Sequence, residues 1–537
     1  MICLFLFPPK TPTFPINKPS QPMPAKNTLL PSAKLFAFAL CFAINTSQAQ
    51  STLPTSKPET EGIPAAAIDS FLTAVGQSKH EFHSFMMLRH GKVVAQGWWN
   101  PYEAKLRHTL YSCSKSFTST AIGFAVSEKR LTVNDKVVSF FPDKLPDTIP
   151  AHLAALTVKD LLTMSVGQEQ DPTFAVASTQ EDWVKGFLAL PIANKPGTKF
   201  LYNSLATFML SAIVQKVTGQ KEVDYLKPRL FEPLGIKGQD WEVNKQGINT
   251  GGWGLRVQTE ALAKMGQLYL QKGKWQGKQV LPAAWVEEAT TAKIDQAPGA
   301  PQSKKDSSDW MQGYCYQFWR CRNNAFRADG AFGQYIVVMP DQDAVIAITS
   351  ESPDMQGELN LVWKYLLPAM QPKPLPANAS ADKNLDTHLA NLKLAPLSGS
   401  DKGTFNQNFT VKPNLLNIKA IGINIKDGIC HISLKKDAET YNLDFATGKW
   451  LPGETAMQGP GIVNGAKEDF SILQPYKIVG SYAFTEGKEL QLKLRYIESP
   501  HTETIICKFD GKNLTADVGF SYTYGKDHIT LQGELAE

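Results

Sequence analysis

The chain of 537 residues has little net charge, few cysteines and no apolar stretch long enough to cross a bilayer, and each shortage narrows what it does. Fifty-five Lys and Arg stand against 50 Asp and Glu, a formal charge of +5. Lys10, Lys18, Lys26 and Lys34 supply four of those charges within the first 49 residues, which hold no acid, so the remainder carries only +1. Nucleic-acid binding normally needs a strong basic patch, and this balance argues against such a partner. There is no Gly-x-Ser-x-Gly elbow, no His-Glu-x-x-His, no Walker loop and no Cys-x-x-Cys pair. The nine histidines fall at 80, 83, 90, 108, 152, 388, 431, 501 and 528, without the ligand spacing of a familiar metal site, so no metal and no cofactor are expected. His80 and His83 precede a strand-like run and read as surface residues.

Of seven cysteines, Cys3 and Cys41 lie near the N-terminus, leaving Cys113, Cys315, Cys321, Cys430 and Cys507. An odd number leaves at least one thiol free in an exported protein. Six residues of strand separate Cys315 from Cys321 by about 20 Å, beyond the reach of a disulfide. Cys430 and Cys507 remain open as a pair, and Cys113 reads as a small buried residue at a helix start.

The N-terminus reads as an export signal that starts at Met23. Met23-Pro-Ala-Lys gives a basic start, Leu35 to Ile44 an apolar run of ten residues, and Ser47-Gln48-Ala49 a small-x-small cleavage site before Gln50. Ten apolar residues are too few for a membrane-spanning helix. Leu40 ahead of Cys41 does not suit a lipoprotein site. The expectation is a periplasmic or secreted protein, cleaved after Ala49, with no transmembrane anchor. About 490 residues then remain, enough for more than one domain.

Ser112-Cys-Ser-Lys115 opens an apolar helical segment in which Phe117, Ile122 and Val126 recur at helical spacing. A helix puts positions three apart on one face, so Ser112 and Lys115 would lie side by side. A serine hydroxyl is a weak nucleophile until a neighbouring base takes its proton, and an amine held near neutrality by desolvation or another cation can do so. The competing reading of Ser112 is a helix N-cap. The spacing alone is weakly specific, because Ser433-Leu-Lys-Lys436, in a strand-like stretch, also satisfies it.

Two further stretches offer partners. In Pro196 to Leu210, a turn leads through Tyr202-Asn203-Ser204 into an amphipathic helix. A tyrosine at that junction can face inward, and beside a lysine ammonium its phenol would ionise more easily. The alternative is an ordinary core-edge tyrosine. Ala328-Asp-Gly-Ala-Phe-Gly-Gln334 runs into the β-branched strand text Tyr335-Ile-Val-Val-Met339. Glycines at the lip of a strand allow close approach, and a backbone N–H there can donate to an oxyanion. The alternative is a hairpin turn that needs glycine.

In this order, and with Leu156 to Gly167, Leu230 to Ile236 and Gly251 to Lys264 around them, the three stretches resemble the serine β-lactamase, penicillin-binding-protein and class C-like esterase superfamily over about residues 60 to 370. The resemblance implies that Ser112 is acylated, that Lys115 and Tyr202 share the proton work, and that Ser204 fills the last place of a Tyr-x-Asn/Ser motif. The oxyanion hole would be the backbone N–H groups of Ser112 and Ala331, in a third motif that includes Gly330 and Gly333. β-Lactamases and D-alanyl-D-alanine peptidases have Lys-Thr-Gly or His-x-Gly there, whereas this chain has Ala328-Asp329-Gly330 with Arg327 beside it. The resemblance therefore favours a small ester or linear amide as substrate, the latter as in the 6-aminohexanoate-dimer hydrolase branch. A D-alanyl-D-alanine peptidase or β-lactamase is one alternative. Another is a catalytically silent binding or sensor protein that uses its C-terminal part.

The domain layout follows from changes of period. Residues 55–370 are expected to form an α/β (α+β) catalytic domain, an antiparallel sheet flanked by helices with a helical subdomain. Its strands come from both ends: a hairpin from Ser84 to Trp98 that turns at His90-Gly91, then Tyr335 to Met339 and Ala344 to Thr349, with helices at Thr259 to Gln271 and Pro282 to Ala289 between. Trp253, Tyr314, Tyr316, Trp319 and Phe332 are candidate pocket aromatics or simple core. A proline-rich passage marks a linker at 371–384. From 385 to 537 the period is two: Leu490, Leu492, Leu494 and Tyr496 alternate with Gln491, Lys493 and Arg495. Asp427-Gly428, Glu486-Gly487 and Asp510-Gly511 punctuate the strands, as in an antiparallel β-sandwich or barrel.

Overall fold

Apolar residues fill both faces of the central sheet. Its six strands are β1 (Glu81–Arg89), β2 (Lys92–Trp98), β3 (Trp319–Arg320), β4 (Phe326–Gly330), β5 (Gln334–Met339) and β6 (Ala344–Glu351). They run in the antiparallel order β2-β1-β6-β5-β4-β3, so strands from the two ends of the domain pair at its centre, Phe85 opposite Ile348. This is a computed structural model, and it describes residues 53–401, 403–437, 439–463, 465–485 and 489–536. The leader with Met23, Ala49, Cys3 and Cys41 lies outside the described residues, as does the Glu486-Gly487 turn. The described residues belong to one compact unit.

The β1–β2 hairpin turns at His90 and Gly91, with φ +50° and +74°, a pair of left-handed residues that matches strand twist. Side chains alternate across the sheet. Met86, Leu88, Ile336 and Val345 face one core, and Phe85, Met87, Val337 and Ile346 the other. The first core also takes α2 (Ser114–Ser127), α3 (Ser204–Thr218) and α4 (Thr259–Leu270), while α1 (Ala65–Gly76) covers the second face. Each fully buried Leu, Ile or Phe stabilises this assembly by about 1.5–3 kcal/mol.

The passage expected to be a linker is partly helical. Residues Ala379–Ala390 form α5, capped by the Asn378 side chain, which accepts from the Ala381 N–H at 3.1 Å. Leu385 and Leu389, four apart, pack into the second core with Leu392, so the helix belongs to the catalytic domain's surface. Proline marks the boundary only as far as Pro376, and the packing of Leu385 and Leu389 folds the polar text beyond it.

Beyond α5 the chain forms a closed barrel. Its strands are β7 (Phe405–Val411), β8 (Ile418–Lys426), β9 (Ile429–Lys436), β10 (Glu439–Thr447), then β11 (Leu451–Thr455), β12 (Tyr476–Phe484), β13 (Leu490–Tyr496), β14 (Thr502–Asp510), β15 (Asn513–Phe520) and β16 (His528–Leu535). Nine of them follow the order β10-β9-β8-β7-β16-β15-β14-β13-β12, and β12 returns to β10 through Ala446 opposite Ser481. The remaining strand, β11, pairs with the other half of β12. The barrel alternative thus replaces the sandwich. Leu490, Leu492 and Leu494 point inward as their period predicts. Arg495 does not point to solvent: it is 3% exposed, because it faces the catalytic domain and donates to Glu81. Cys113, Cys315, Cys321, Cys430 and Cys507 are all free, buried thiols, so the Cys430–Cys507 pairing is absent.

His80 and His83 are buried as well, contrary to the surface reading. His83 stacks on Tyr102 with ring centroids 4.0 Å apart and shares a hydrogen bond of 3.0 Å with His108. His80 is held by Ser352, and His83 shares Glu81 with Arg495 where the barrel meets the catalytic domain. That contact is rich in charge: Arg107 donates to Glu498 at 3.0 Å, and the Trp253 indole to Glu468 at 2.9 Å.

Candidate active site

Tyr111–Cys113 forms one tight 3-10 turn that passes directly into α2. The N-cap of α2 is Cys113 and makes no side-chain capping bond, so Ser112 is not a cap and its hydroxyl is available. Lys115, on the first turn of α2, reaches it: Nζ lies 3.1 Å from Ser112 Oγ, 2.9 Å from Ser204 Oγ and 2.6 Å from the Gly252 carbonyl oxygen. A neutral amine has two N–H donors and one lone pair. Two donors to Gly252 and Ser204 leave the lone pair for the Ser112 hydroxyl. Burial lowers the Lys115 pKa from its ordinary 10.5 to about 7, against the opposing pull of Asp171 and Asp329.

Neighbouring elements hold this triangle. Asn203 caps α3, its Oδ1 accepting from the Ala206 N–H at 3.1 Å, and so presents Tyr202 and Ser204 at the helix mouth. Thr118, one turn along α2 from Lys115, donates to the Gly251 carbonyl at 2.9 Å and fixes the next carbonyl, that of Gly252. A Cβ at 252 would stand 2.7 Å from Ser204 O and 3.4 Å from Lys115 Nζ, so only glycine lets the backbone come this close. Gln317 ties α2 and α3 together: its carbonyl accepts from Ser116 and its side-chain oxygen from Thr207, both at 2.7 Å. Gly252 and Gln317 were missed from sequence; the glycines at 251, 252 and 254 were the trace of the first.

Tyr202 is half-buried, and its hydroxyl hydrogen-bonds Ser112. Its ring lies against Trp319 with centroids 5.6 Å apart, meets Tyr314 edge-on at 6.4 Å, and has Lys115 Nζ 4.9 Å from its centre. Burial and the Asp329 charge push its phenol above the ordinary tyrosine value. The expected easier ionisation beside a lysine ammonium is therefore reversed by burial. Tyr314 and Trp319 prove to be the support of Tyr202. Trp253 and Tyr316 are buried further off, against Trp183 and Trp285, and Phe332 is half-buried.

The third stretch is both a hairpin and a close approach. Gly330 ends β4 opposite Gln334 of β5, and a Cβ there would fall 2.0 Å from the Leu110 carbonyl oxygen and 3.0 Å from the Cys113 amide. The strand end therefore rests on the turn that carries Ser112, with Ala331 next along the chain, while Gly333 packs against Ser350 and Glu358. Gln334 Nε2 donates to the Ala331 carbonyl at 3.0 Å, and Gly333 has φ +98°. Arg327 is fully buried: Nε donates to Asp329 Oδ2 at 2.9 Å, and the guanidinium lies 4.2 Å from the Trp310 ring centre. Ser433 sits on barrel strand β9, away from these groups. Among the described residues no cluster of His, Cys, Asp and Glu could hold a metal ion. None of their helices is long and apolar enough to cross a membrane.

A beta-lactamase family profile matches residues 71–369, more than half of the chain. The chain belongs to the beta-lactamase family. Within this family of serine hydrolases it is similar to the 6-aminohexanoate-dimer hydrolase of Paenarthrobacter ureafaciens, at 24% identity over 324 residues, 55% of this chain and 81% of that protein. A protein of Escherichia coli (strain K12), provisionally named a D-alanyl-D-alanine carboxypeptidase, is 31% identical over 143 residues, 24% of this chain and 33% of that one. A solved structure from Bacillus anthracis, provisionally named a 6-aminohexanoate-dimer hydrolase, superposes with a TM-score of 0.50 at 20% identity, over 60% of this chain and 89% of that one. This last likeness concerns the fold.

Proposed function

We propose that this beta-lactamase-family protein is an exported hydrolase that opens a small ester or linear amide through an acyl-enzyme on Ser112. The observation that carries the reading is the Lys115 amine, 3.1 Å from Ser112 Oγ with its other two directions filled by Ser204 and Gly252. Ser112 Oγ attacks the carbonyl carbon as its proton passes to Lys115. The carbonyl oxygen becomes an oxyanion held by the Ser112 and Ala331 N–H groups. Tyr202, which stays a phenol, gives its proton to the leaving alkoxide or amine and is reprotonated from Lys115. Water then attacks the acyl carbon, the carboxylic acid leaves, and Ser112 regains its proton.

Arg327 supports the choice of substrate. Its guanidinium is committed to Asp329 and to the Asp309 carbonyl, so the third motif offers no free cation to a substrate carboxylate. That weighs against β-lactams and D-alanyl-D-alanine peptides, whose carboxylates need one. The name of the Paenarthrobacter relative supports the linear amide. Export rests on the signal-like residues 23 to 49.

Turnover of p-nitrophenyl butyrate, a 6-aminohexanoate dimer and nitrocefin, compared between the protein and its Ser112→Ala variant, tests the reading. Ester or linear-amide hydrolysis that disappears in the variant is the expected result. Fast nitrocefin hydrolysis, or hydrolysis that survives the substitution, would overturn it.

A further inference from the structure

The residue before the nucleophile and the residue after Ala331 share an unusual feature. Tyr111 has φ +47° and Phe332 φ +69°, left-handed values that cost a non-glycine residue energy unless its surroundings hold it there. One stands on each arm of the proposed oxyanion hole. Their rings touch, with centroids 5.4 Å apart, and a third ring completes the group: His501, 4.8 Å from Phe332 at 89° and 5.6 Å from Tyr111. His501 comes from the barrel, in the turn between β13 and β14, and is fully buried.

Polar bonds run through the same three residues. His501 Nε2 is bonded to the Tyr111 hydroxyl, and Nδ1 lies 2.6 Å from Glu351 Oε1. With the proton on Nδ1 donated to the carboxylate, Nε2 accepts from the phenol. The Ser521 hydroxyl, also from the barrel, donates to the same Glu351 oxygen at 2.8 Å. Glu351 ends β6, and the residues on either side of it hold the other arm. Ser350 Oγ lies 2.8 Å from the carbonyl oxygens of both Phe332 and Gly333, and the Ser352 N–H donates to Phe332 O at 2.9 Å. The result is a closed ring, from Tyr111 through His501 and Glu351 to Phe332 and, by ring contact, back to Tyr111.

We propose that His501 of the C-terminal barrel is a positioning residue for the active site, setting the distance between the Ser112 arm and the Ala331 arm of the oxyanion hole through Tyr111, Glu351 and Phe332. The barrel then has a part in the chemical step besides covering the catalytic domain. This rests on the acyl-enzyme reading above. A backbone donor shifted by a fraction of an ångström loses most where charge develops in the transition state and little in ground-state binding, so the effect belongs to kcat.

The test uses the full-length protein and its Tyr111→Phe, His501→Gln and Arg107→Ala variants, with p-nitrophenyl butyrate kinetics, thermal unfolding and amide hydrogen exchange. Tyr111→Phe removes one oxygen and keeps the ring, so it reads the ring of bonds even if His501→Gln fails to fold. Expected are a fall in kcat of about 10- to 100-fold for Tyr111→Phe and His501→Gln with KM within about threefold, and no further fall when these two changes are combined in one protein. Arg107→Ala, which loses ion pairs to Asp240 and Glu498 but none of the ring's hydrogen bonds, should lower the melting temperature and leave kcat alone. Amides in 110–113 and 330–334 should exchange at least tenfold faster in both ring variants. Wild-type kcat and unchanged exchange in folded Tyr111→Phe would overturn the proposal. Should the parent protein turn over no substrate, the acyl-enzyme reading fails, and the exchange data still decide whether His501 holds the two arms.

Discussion

Lys115 is where burial becomes chemistry. An exposed lysine is protonated at neutral pH and cannot take a proton from serine; burial brings its pKa down to about 7, so a large share is a free amine. The sign follows directly. If Lys115 takes the serine proton as proposed, activity needs the neutral form, so kcat/KM for an ester should rise tenfold per unit below about pH 7 and level off above it. Tyr202, held above the ordinary phenol value, should add no loss until strongly alkaline pH. A stopped-flow profile from pH 5 to 9 checks this, and a profile flat through pH 7 would exclude Lys115 as the base. The Ser112–Lys115 pairing was legible because helical spacing is local. The Gly252 carbonyl was not: it is a backbone atom 137 residues away, and its position depends on Thr118 gripping the neighbouring residue.

At the scale of elements, the site depends on a strand end pressed against a helical turn. Gly330 is the contact point, and no side chain fits between it and Leu110. A Gly330→Ala change must push β4 and the Tyr111–Cys113 turn apart. It should cut ester kcat by at least about 100-fold, a loss of the size seen when an oxyanion donor is removed, and should lower the melting temperature by several degrees. Wild-type kinetics from this variant would mean that the two segments move freely past each other. Period-two and period-3.6 patterns identified β5, β6, α4 and the barrel strands, since these elements are amphipathic or fully apolar. Helix α5 was hidden because its apolar stripe is only Leu385 and Leu389 within polar text, and its partner, α1, lies some 300 residues earlier. The reach of Arg495 was hidden for the complementary reason. A charged residue at an outward position says nothing of what covers that side.

For the whole molecule, barrel and catalytic domain meet through buried charge. The pair Glu242 and Glu468 stands out: the two carboxyls hydrogen-bond each other, and burial pushes both pKa values up, with mutual repulsion adding to that of Glu468. A carboxyl with a raised folded pKa holds its proton where the unfolded chain has released it, so the folded state loses stability as pH rises above the ordinary carboxylate range of about 4–5. Glu468→Gln removes that penalty. Its melting temperature relative to the parent should therefore climb between about pH 5 and 8, a trend that a thermal scan at several pH values would detect; a constant offset would contradict the shared proton. Glu81, held below the ordinary value by Arg495 and His83, acts in the opposite sense: it stabilises fully above the carboxylate range and loses this as pH falls below it. The sequence located the barrel from its strand period, but this contact is made of residues scattered from Glu81 to His501, none of which forms a motif.

The proposed reaction puts the acyl group on Ser112. Intact-protein mass measured within seconds of mixing with p-nitrophenyl butyrate, followed by peptide mapping, addresses it directly. The expected result is a transient butyryl adduct confined to the peptide with Ser112, absent in Ser112→Ala and longer-lived at low pH. Turnover without any adduct on Ser112, or an adduct that persists in Ser112→Ala, would contradict it.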